Sequence, residues 1–251
     1  MLKLFCHLYS LLHLTYTFIY LSFLALVMLL LAPTIALADD SIEKKTLLVN
    51  QQTVNWQLWK ANSTLSLEFR HTPHSDLIEI RAKAAIKSTL SGALLFLQDT
   101  KSIPKWLHNS SKSTIIKKIS ATENISVTAF DAFWLTKNRE MIIRSHYWQN
   151  DDLSVEVTIN DESQNYSQYK SKETIQINII SAYWTIKKMS NGIIEIEHTI
   201  SADPNGFIPN WVANRIALKS MWKTLVNIEN QLPSSHHQKH QLPNIRERIN
   251  R

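Results

Sequence analysis

Three side chains with useful chemistry lie in segments that are otherwise rich in apolar residues. His198 shares the parity of Ile194 and Ile196 in an alternating segment, so the three side chains face the same side. An imidazole on that face is a satisfied core residue, a hydrogen-bonding group for a ligand, or a proton-transfer group. Arg139 and Arg144 have opposite parities in one segment, so at most one of them points inward. A buried arginine needs a carboxylate partner, and the sequence does not identify one.

Other kinds of chemistry lack the residues that they require. No serine stands in a nucleophile motif, and the chain has only three glycines, too few and too scattered for a phosphate-binding loop. His236, His237 and His240 are close in sequence, but no acidic or cysteine ligand stands beside them. We therefore expect no metal site and no cofactor, and we assign no catalytic residue.

The net charge of +6 does not indicate a nucleic-acid-binding protein. No stripe of lysine and arginine with interleaved aromatic residues runs along the chain, which excludes that class. The segment 233–251 holds four basic residues against one acid: Lys239, Arg246, Arg248 and Arg251 against Glu247. We interpret it as a disordered, basic, histidine-containing tail that either stays solvated or contacts anionic lipid head groups.

Residues 1–38 have the pattern of a secretory signal peptide. Lys3 is the only charged residue before Asp39, and an apolar run extends from about residue 8 to residue 31. The sequence Ala36-Leu37-Ala38 then provides a cleavage site, so we predict export, to the periplasm in a bacterium. An uncleaved leader would instead anchor the protein, since the run is long enough to span a membrane. The only cysteine, Cys6, lies in this leader, so the mature domain depends on a packed core.

Strand patterns dominate the mature chain and predict about nine strands. Apolar and polar residues alternate, which is typical of an antiparallel sheet with one buried face. Asn191-Gly192 predicts a tight hairpin between the last two strands. The predicted strands cover residues 56–61, 65–71, 77–86, 114–119, 124–130, 140–149, 153–160, 174–187 and 193–201.

Helices are few, and only the last predicted helix is long. Helical spacing of apolar residues predicts a short helix at 88–97 and a turn at 103–108. The long helix begins near Pro209 and continues to about Leu232. Its apolar stripe consists of Trp211, Leu218, Met221, Leu225 and Ile228. A large antiparallel sheet curls, so this helix covers the concave face, and long strands leave a pocket between the two.

One segment of the sequence is particularly distinctive: Asp203–Asn214, at the entry to the last helix. Weaker matches in the same order lie at 65–71, at 77–82, and at Trp134 with Arg139. Together these segments resemble the START domain, the lipid-transfer module of the helix-grip (SRPBCC) superfamily, over about residues 46–232. The resemblance implies an α+β helix-grip fold, in which a curved sheet and a C-terminal helix enclose an apolar tunnel for one lipid-like molecule.

This interpretation divides the chain into a leader at 1–38, a START-like lipid-binding domain at 39–232 and a tail at 233–251. We predict an exported, monomeric binding or transfer protein for a lipid or other apolar ligand, with transient membrane contact. The alternatives are a helix-grip enzyme of the cyclase or hydrolase kind, and an envelope interaction protein in which the tail carries the function. The candidate cavity residues are Trp134, Arg139, Arg144, His198, Trp211, Asn214, Leu218, Met221, Leu225 and Ile228; for the apolar ones, ordinary core packing is the alternative.

Overall fold

A computed structural model describes residues 55–72, 75–132 and 137–247. The predicted leader and Trp134 lie outside the described residues. All described residues belong to one compact unit, in which the elements follow the predicted order. No helix among the described residues is both long and apolar enough to cross a membrane.

Ten strands form one sheet, which is antiparallel except for a short parallel pairing of β8 with β6. The strand order is β1-β2-β3-β10-β9-β7-β6-β5-β4. The predicted strand at 174–187 is divided in two, because the Ile177 amide turns to the carbonyl oxygen of Glu140 on β6. The strands are β1 (Gln57–Ala61), β2 (Leu65–His71), β3 (Ile78–Lys87), β4 (Ser110–Lys118), β5 (Glu123–Phe130), β6 (Arg139–Gln149), β7 (Val155–Asp161), β8 (Ile175–Gln176), β9 (Asn178–Lys188) and β10 (Ile193–Asp203).

The predicted hairpin between β9 and β10 is confirmed. Asn191 and Gly192 have φ angles of 58° and 71°, the positive values that a two-residue type I′ turn requires. This turn sets the register in which β10 pairs with β9, and the other edge of β10 pairs with β3. β10 lies near the middle of the sheet, between β3 and β9, and His198 lies on its buried face with Ile194 and Ile196.

The predicted helices are also confirmed, with small differences at their ends. They are α1 (Leu90–Gln98), α2 (Ile103–Trp106) and α3 (Asn210–Gln231); short 3-10 turns lie at Ser167–Tyr169, before β8, and at His236–Lys239, after α3. Thr89 caps α1, because its side-chain oxygen accepts a hydrogen bond from the Gly92 amide at 2.9 Å. Helix α3 packs against β2, β3 and α2, which places it over one end of the sheet.

The C-terminal segment differs from the disordered tail that we expected, since residues 233–247 pack against the domain. The side chain of Ile245 is buried in the main core. The carboxylate of Glu247 accepts hydrogen bonds from the amides of Leu90 and Ser91, in the first turn of α1. The free amides at the start of a helix attract a carboxylate. Glu247 is about 150 positions away from these amides in sequence, so the composition of the C-terminal segment did not reveal that it packs here.

Candidate ligand-binding cavity

The interior of the domain contains a cavity of about 380 Å³ between the sheet and α3. Small-molecule sites range from about 300 to 1,000 Å³, and an engineered apolar cavity of about 150 Å³ is large enough to hold benzene. The cavity is therefore large enough for an organic ligand. Its apolar wall on the sheet consists of Ile78, Ile80, Met141, Ile143, Val157, Ile159, Ile177, Ile179, Ala182, Trp184 and Ile200.

Helix α3 has two neighbouring faces, and only one of them lines the cavity. Leu218, Leu225 and Ile228 are buried in the main hydrophobic core and do not line the cavity. The residues of α3 that do line it are mostly small or polar: Ala213, Asn214, Ile216, Ala217, Ser220, Met221 and Thr224. Small side chains on a helix face leave unfilled space, so this second face determines the volume of the cavity.

A polar stripe forms part of the cavity wall on β5. Asn124, Ser126 and Thr128 alternate along the strand, so their side chains share one face of the sheet, and all three line the cavity. Asn124 accepts a hydrogen bond from Ser145 on β6 at 3.3 Å, and Thr128 shares one with Ser113 on β4 at 2.9 Å. Among the described residues, the Ser126 hydroxyl forms no hydrogen bond, although the residue is buried. It is therefore a group that a ligand can satisfy.

His198 lines the cavity as a neutral base. Its ring stacks on the Trp184 ring, with centroids 3.9 Å apart and planes 11° apart. Nδ1 lies 2.9 Å from the carbonyl oxygen of Tyr183, which can only accept, so Nδ1 carries the proton. Burial lowers the pKa of His198 to about 4, and the bond to Tyr183 opposes this shift only in part. The neutral ring therefore offers Nε2 as a hydrogen-bond acceptor.

Arg139 lines the cavity, but its role differs from that of an ion pair. Its guanidinium group donates to the carbonyl oxygens of Pro204 at 3.1 Å, Asn205 at 3.3 Å and Lys137 at 3.1 Å. Among the described residues, all three partners are backbone carbonyl oxygens, and two of them belong to the loop before α3. They take the place of the carboxylate partner that we expected for a buried arginine. Burial lowers the pKa of Arg139. The side chain ties the start of β6 to the loop that leads into α3.

Four of the ten predicted site residues line the cavity: Arg139, His198, Asn214 and Met221. Arg144 does not, because its side chain pairs with Glu123 at 2.7 Å and Glu162 at 3.9 Å. Trp211 is 71% exposed, at the start of α3. Leu218, Leu225 and Ile228 are core residues, and Trp134 lies outside the described residues.

The sequence analysis missed the polar stripe on β5. We predicted a strand at 124–130 without assigning either of its faces to the cavity, and its apolar parity is Ile125, Val127 and Ala129. The available signal was the regular spacing of Asn124, Ser126 and Thr128 at every second position. The same alternation is typical of any strand with one buried face, so this spacing does not by itself distinguish a cavity wall from an exposed face.

Two aromatic side chains beside the cavity are largely exposed to solvent. Phe207 and Trp211 are 110% and 71% exposed, although they flank Ile208, which lines the cavity. Arg215 is exposed one turn further along α3. This part of the surface therefore combines large apolar groups with a positive charge.

Comparison with solved structures places this architecture in a known fold. The StAR-related lipid transfer protein from Xanthomonas axonopodis superposes with a TM-score of 0.61 at 22% identity, over 70% of this chain and 98% of that one. Human StAR-related lipid transfer protein 5 gives a TM-score of 0.63 at 15% identity, over 80% and 94% of the two chains. The chain has the START fold.

Sequence comparison adds one relative and no family model. An uncharacterised protein of Pseudomonas aeruginosa is 20% identical over 176 residues, which is 70% of this chain and 86% of that protein. No family model matches the chain. The START fold, with its curved sheet and long C-terminal helix, agrees with the predicted α+β helix-grip class.

The buried state of His198 predicts a specific loss of stability in acid. The imidazole of His198 takes up a proton near pH 6.5 in the unfolded chain but only near pH 4 in the folded protein. Protonation therefore favours the unfolded chain between these values, so the free energy of unfolding is highest above about pH 6.5 and declines towards pH 4. Urea unfolding at pH 7 and pH 4.5 measures this loss for the wild type and for His198→Gln. We expect the wild type to lose about 2–3 kcal/mol more than the variant. Equal losses would contradict a neutral, buried His198.

Proposed function

We propose that this protein binds one amphipathic lipid-like molecule in its cavity and carries it between membranes. The observation that carries the proposal is the hollow interior, with apolar walls on most of the sheet and a polar stripe on β5. A domain of this size ordinarily fills such a space with side chains. Similar START-fold structures are described as lipid transfer proteins, which supports the same class of ligand here.

The energetics of exchange support a role for the polar stripe in selectivity. Each methylene that leaves water gains about 0.8 kcal/mol, but a lipid gains nearly the same in a bilayer. Apolar burial therefore gives little preference for the protein over the membrane. The difference depends on polar groups: Nε2 of His198 can accept a hydrogen bond from a ligand hydroxyl, and the hydroxyl of Ser126 can donate to a ligand carbonyl or hydroxyl oxygen.

We propose a non-enzymatic function, because the two candidate acid–base groups that the sequence indicated, His198 and Arg139, are poorly suited to acid–base chemistry in this cavity. General acids and bases work best when their pKa lies near the operating pH. The pKa of His198, about 4, is far below that range, and the guanidinium group of Arg139 is held by three carbonyl oxygens. Both groups are suited to binding and orientation.

A substitution that fills the cavity tests whether the ligand binds there. Ala217 faces the cavity from α3, so Ala217→Trp places a large ring in the space that the ligand needs. We expect the wild type to bind a fluorescent fatty acid, and to release stoichiometric lipid into organic solvent when purified from cells. The variant should bind the probe about tenfold more weakly or worse.

The matched control is Lys219→Trp, because Lys219 is exposed on the same helix and does not line the cavity. It should bind the probe as the wild type does. Ser126→Val tests the polar stripe, and it should weaken a ligand with a hydroxyl more than a plain alkyl chain. A wild type that binds no apolar probe and carries no lipid would end the proposal.

We further propose that the exposed surface formed by Phe207, Trp211 and Arg215 contacts a lipid membrane during loading. Aromatic side chains favour the membrane–water interface, and a basic residue adds attraction to anionic head groups. The surface adjoins Ile208, so a membrane bound there lies beside the cavity. A lipid then crosses little water when it enters or leaves.

Vesicle binding tests this surface. Phe207→Ser combined with Trp211→Ser should weaken binding to vesicles of phosphatidylcholine and phosphatidylglycerol about tenfold or more, since the loss of both rings removes more than 1.4 kcal/mol. Ile180→Ser is the control, because Ile180 is an exposed apolar residue on β9. Equal loss in both proteins, or none in the double variant, would show that the surface does not dock.

Export of the protein is a separate proposal, supported by the sequence of residues 1–38. Cleavage after Ala38 would give a mature chain that begins at Asp39. N-terminal sequencing of the protein released by osmotic shock should give that residue. Retention in the membrane fraction with the leader attached would support the anchored form instead.

A further inference from the structure

We propose that Asp99, His236 and His237 form a binding site for a transition-metal ion of the zinc class. The proposal is independent of the lipid function, since it uses no residue of the cavity wall. The sequence analysis gave no support to such a site, because the histidines have no acidic neighbour in sequence. The fold provides the missing ligand by packing the C-terminal segment against the end of α1.

The geometry of the three side chains is close to that of a metal site. Their candidate ligand atoms all lie within 4.8 Å of one another. Zn–N bonds of about 2.0–2.1 Å in a tetrahedron place neighbouring ligand atoms about 3.4 Å apart. Nε2 of His237 lies 3.3 Å from Oδ2 of Asp99, so this pair already has the required spacing. His236 is exposed, so its ring can turn to complete the set without disturbing the core.

Further hydrogen bonds hold the carboxylate of Asp99 in place. Ser102 donates its hydroxyl proton to Oδ2 of Asp99 at 2.6 Å, and the Lys101 amide donates to Oδ1 at 3.2 Å. Such outer hydrogen bonds orient metal ligands in known sites.

The ligand chemistry selects the class of ion. Two imidazoles and one carboxylate suit zinc, copper or nickel, whereas calcium and magnesium prefer oxygen ligands alone. Three protein ligands leave one tetrahedral position for water. A water-completed site of this kind, partly open to solvent, exchanges its ion more readily than a closed four-ligand structural site.

The position of the site suggests what the ion does. Asp99 lies between α1 and α2, whereas His236 and His237 belong to the 3-10 turn of the C-terminal segment. An ion bound by all three joins that segment to the body of the domain, next to the two hydrogen bonds between the side chains of Gln238 and Ser88. Gln98 and Thr100, on either side of Asp99, line the cavity, so the ion also stabilises one end of the cavity wall.

Calorimetric titration with zinc tests the proposal. The protein is produced from the full coding sequence, without a histidine tag, and is treated with a chelator before titration with Zn²⁺ alone. We expect one ion per chain and a Tm about 5 °C higher with excess zinc. Asp99→Asn and His237→Ala should each weaken zinc binding at least tenfold.

His71→Ala is the matched control, because His71 is exposed on β2 and belongs to no such cluster among the described residues. It should bind zinc as the wild type does. If zinc leaves the Tm of the wild type unchanged, or if Asp99→Asn binds zinc equally well, the cluster is only an Asp–His ion pair and the proposal is wrong. Lipid content is measured on the same samples, so failure of the metal site is distinguishable from failure of the cavity.

Discussion

Helix α3 (Asn210–Gln231) contacts β2, β3 and α2, and this one-sided packing determines where the interior is solid and where it is hollow. Leu225 and Ile228 are almost completely buried in the core at that end. Over the rest of the concave face, α3 presents side chains as small as Ala217 and Ser220. A sheet of ten strands curls too strongly for one helix to fill, so the missing volume becomes a cavity.

The polar groups of the cavity have different partners, and this difference defines their chemistry. Arg139 is tied to the loop before α3, and it fixes that loop where the aromatic surface of Phe207 and Trp211 begins. His198 is neutral, and its ring is fixed by Trp184 and by the carbonyl oxygen of Tyr183. The walls are therefore preorganised, and away from Arg139 and Asp131 their polar groups are neutral, which favours a neutral polar group on an otherwise apolar ligand.

The sequence predicted most of the fold, because strand alternation and turn chemistry are local. The Asn191-Gly192 turn sets the register of β10 against β9. The predicted strands and helices agree with the structure apart from their ends and the division of 174–187 into β8 and β9. The packed C-terminal segment was not predictable, since the amides of Leu90 and Ser91 that hold Glu247 are remote in sequence. Asp99 and His237 are likewise remote from each other, 138 positions apart in sequence.

The cavity wall was harder to predict, for a physical reason. Apolar periodicity identifies the residues that fill space, so the stripe of Leu218, Leu225 and Ile228 gave the packed face of α3. A cavity is bordered by residues that do not fill space, such as Ala217 on α3 and Ser126 on β5. Neither stands out by hydrophobicity, and their common environment becomes visible only when the strands are folded together.

The central claim is that this interior is hollow and accepts a long apolar chain. The most direct measurement is a crystal structure of the protein grown with a fatty acid that carries bromine at the end of its chain. We expect an anomalous bromine peak inside the domain, against side chains such as Ile159, Trp184 and Met221. Bromine found only on the outer surface, around an interior closed by side chains, would contradict it.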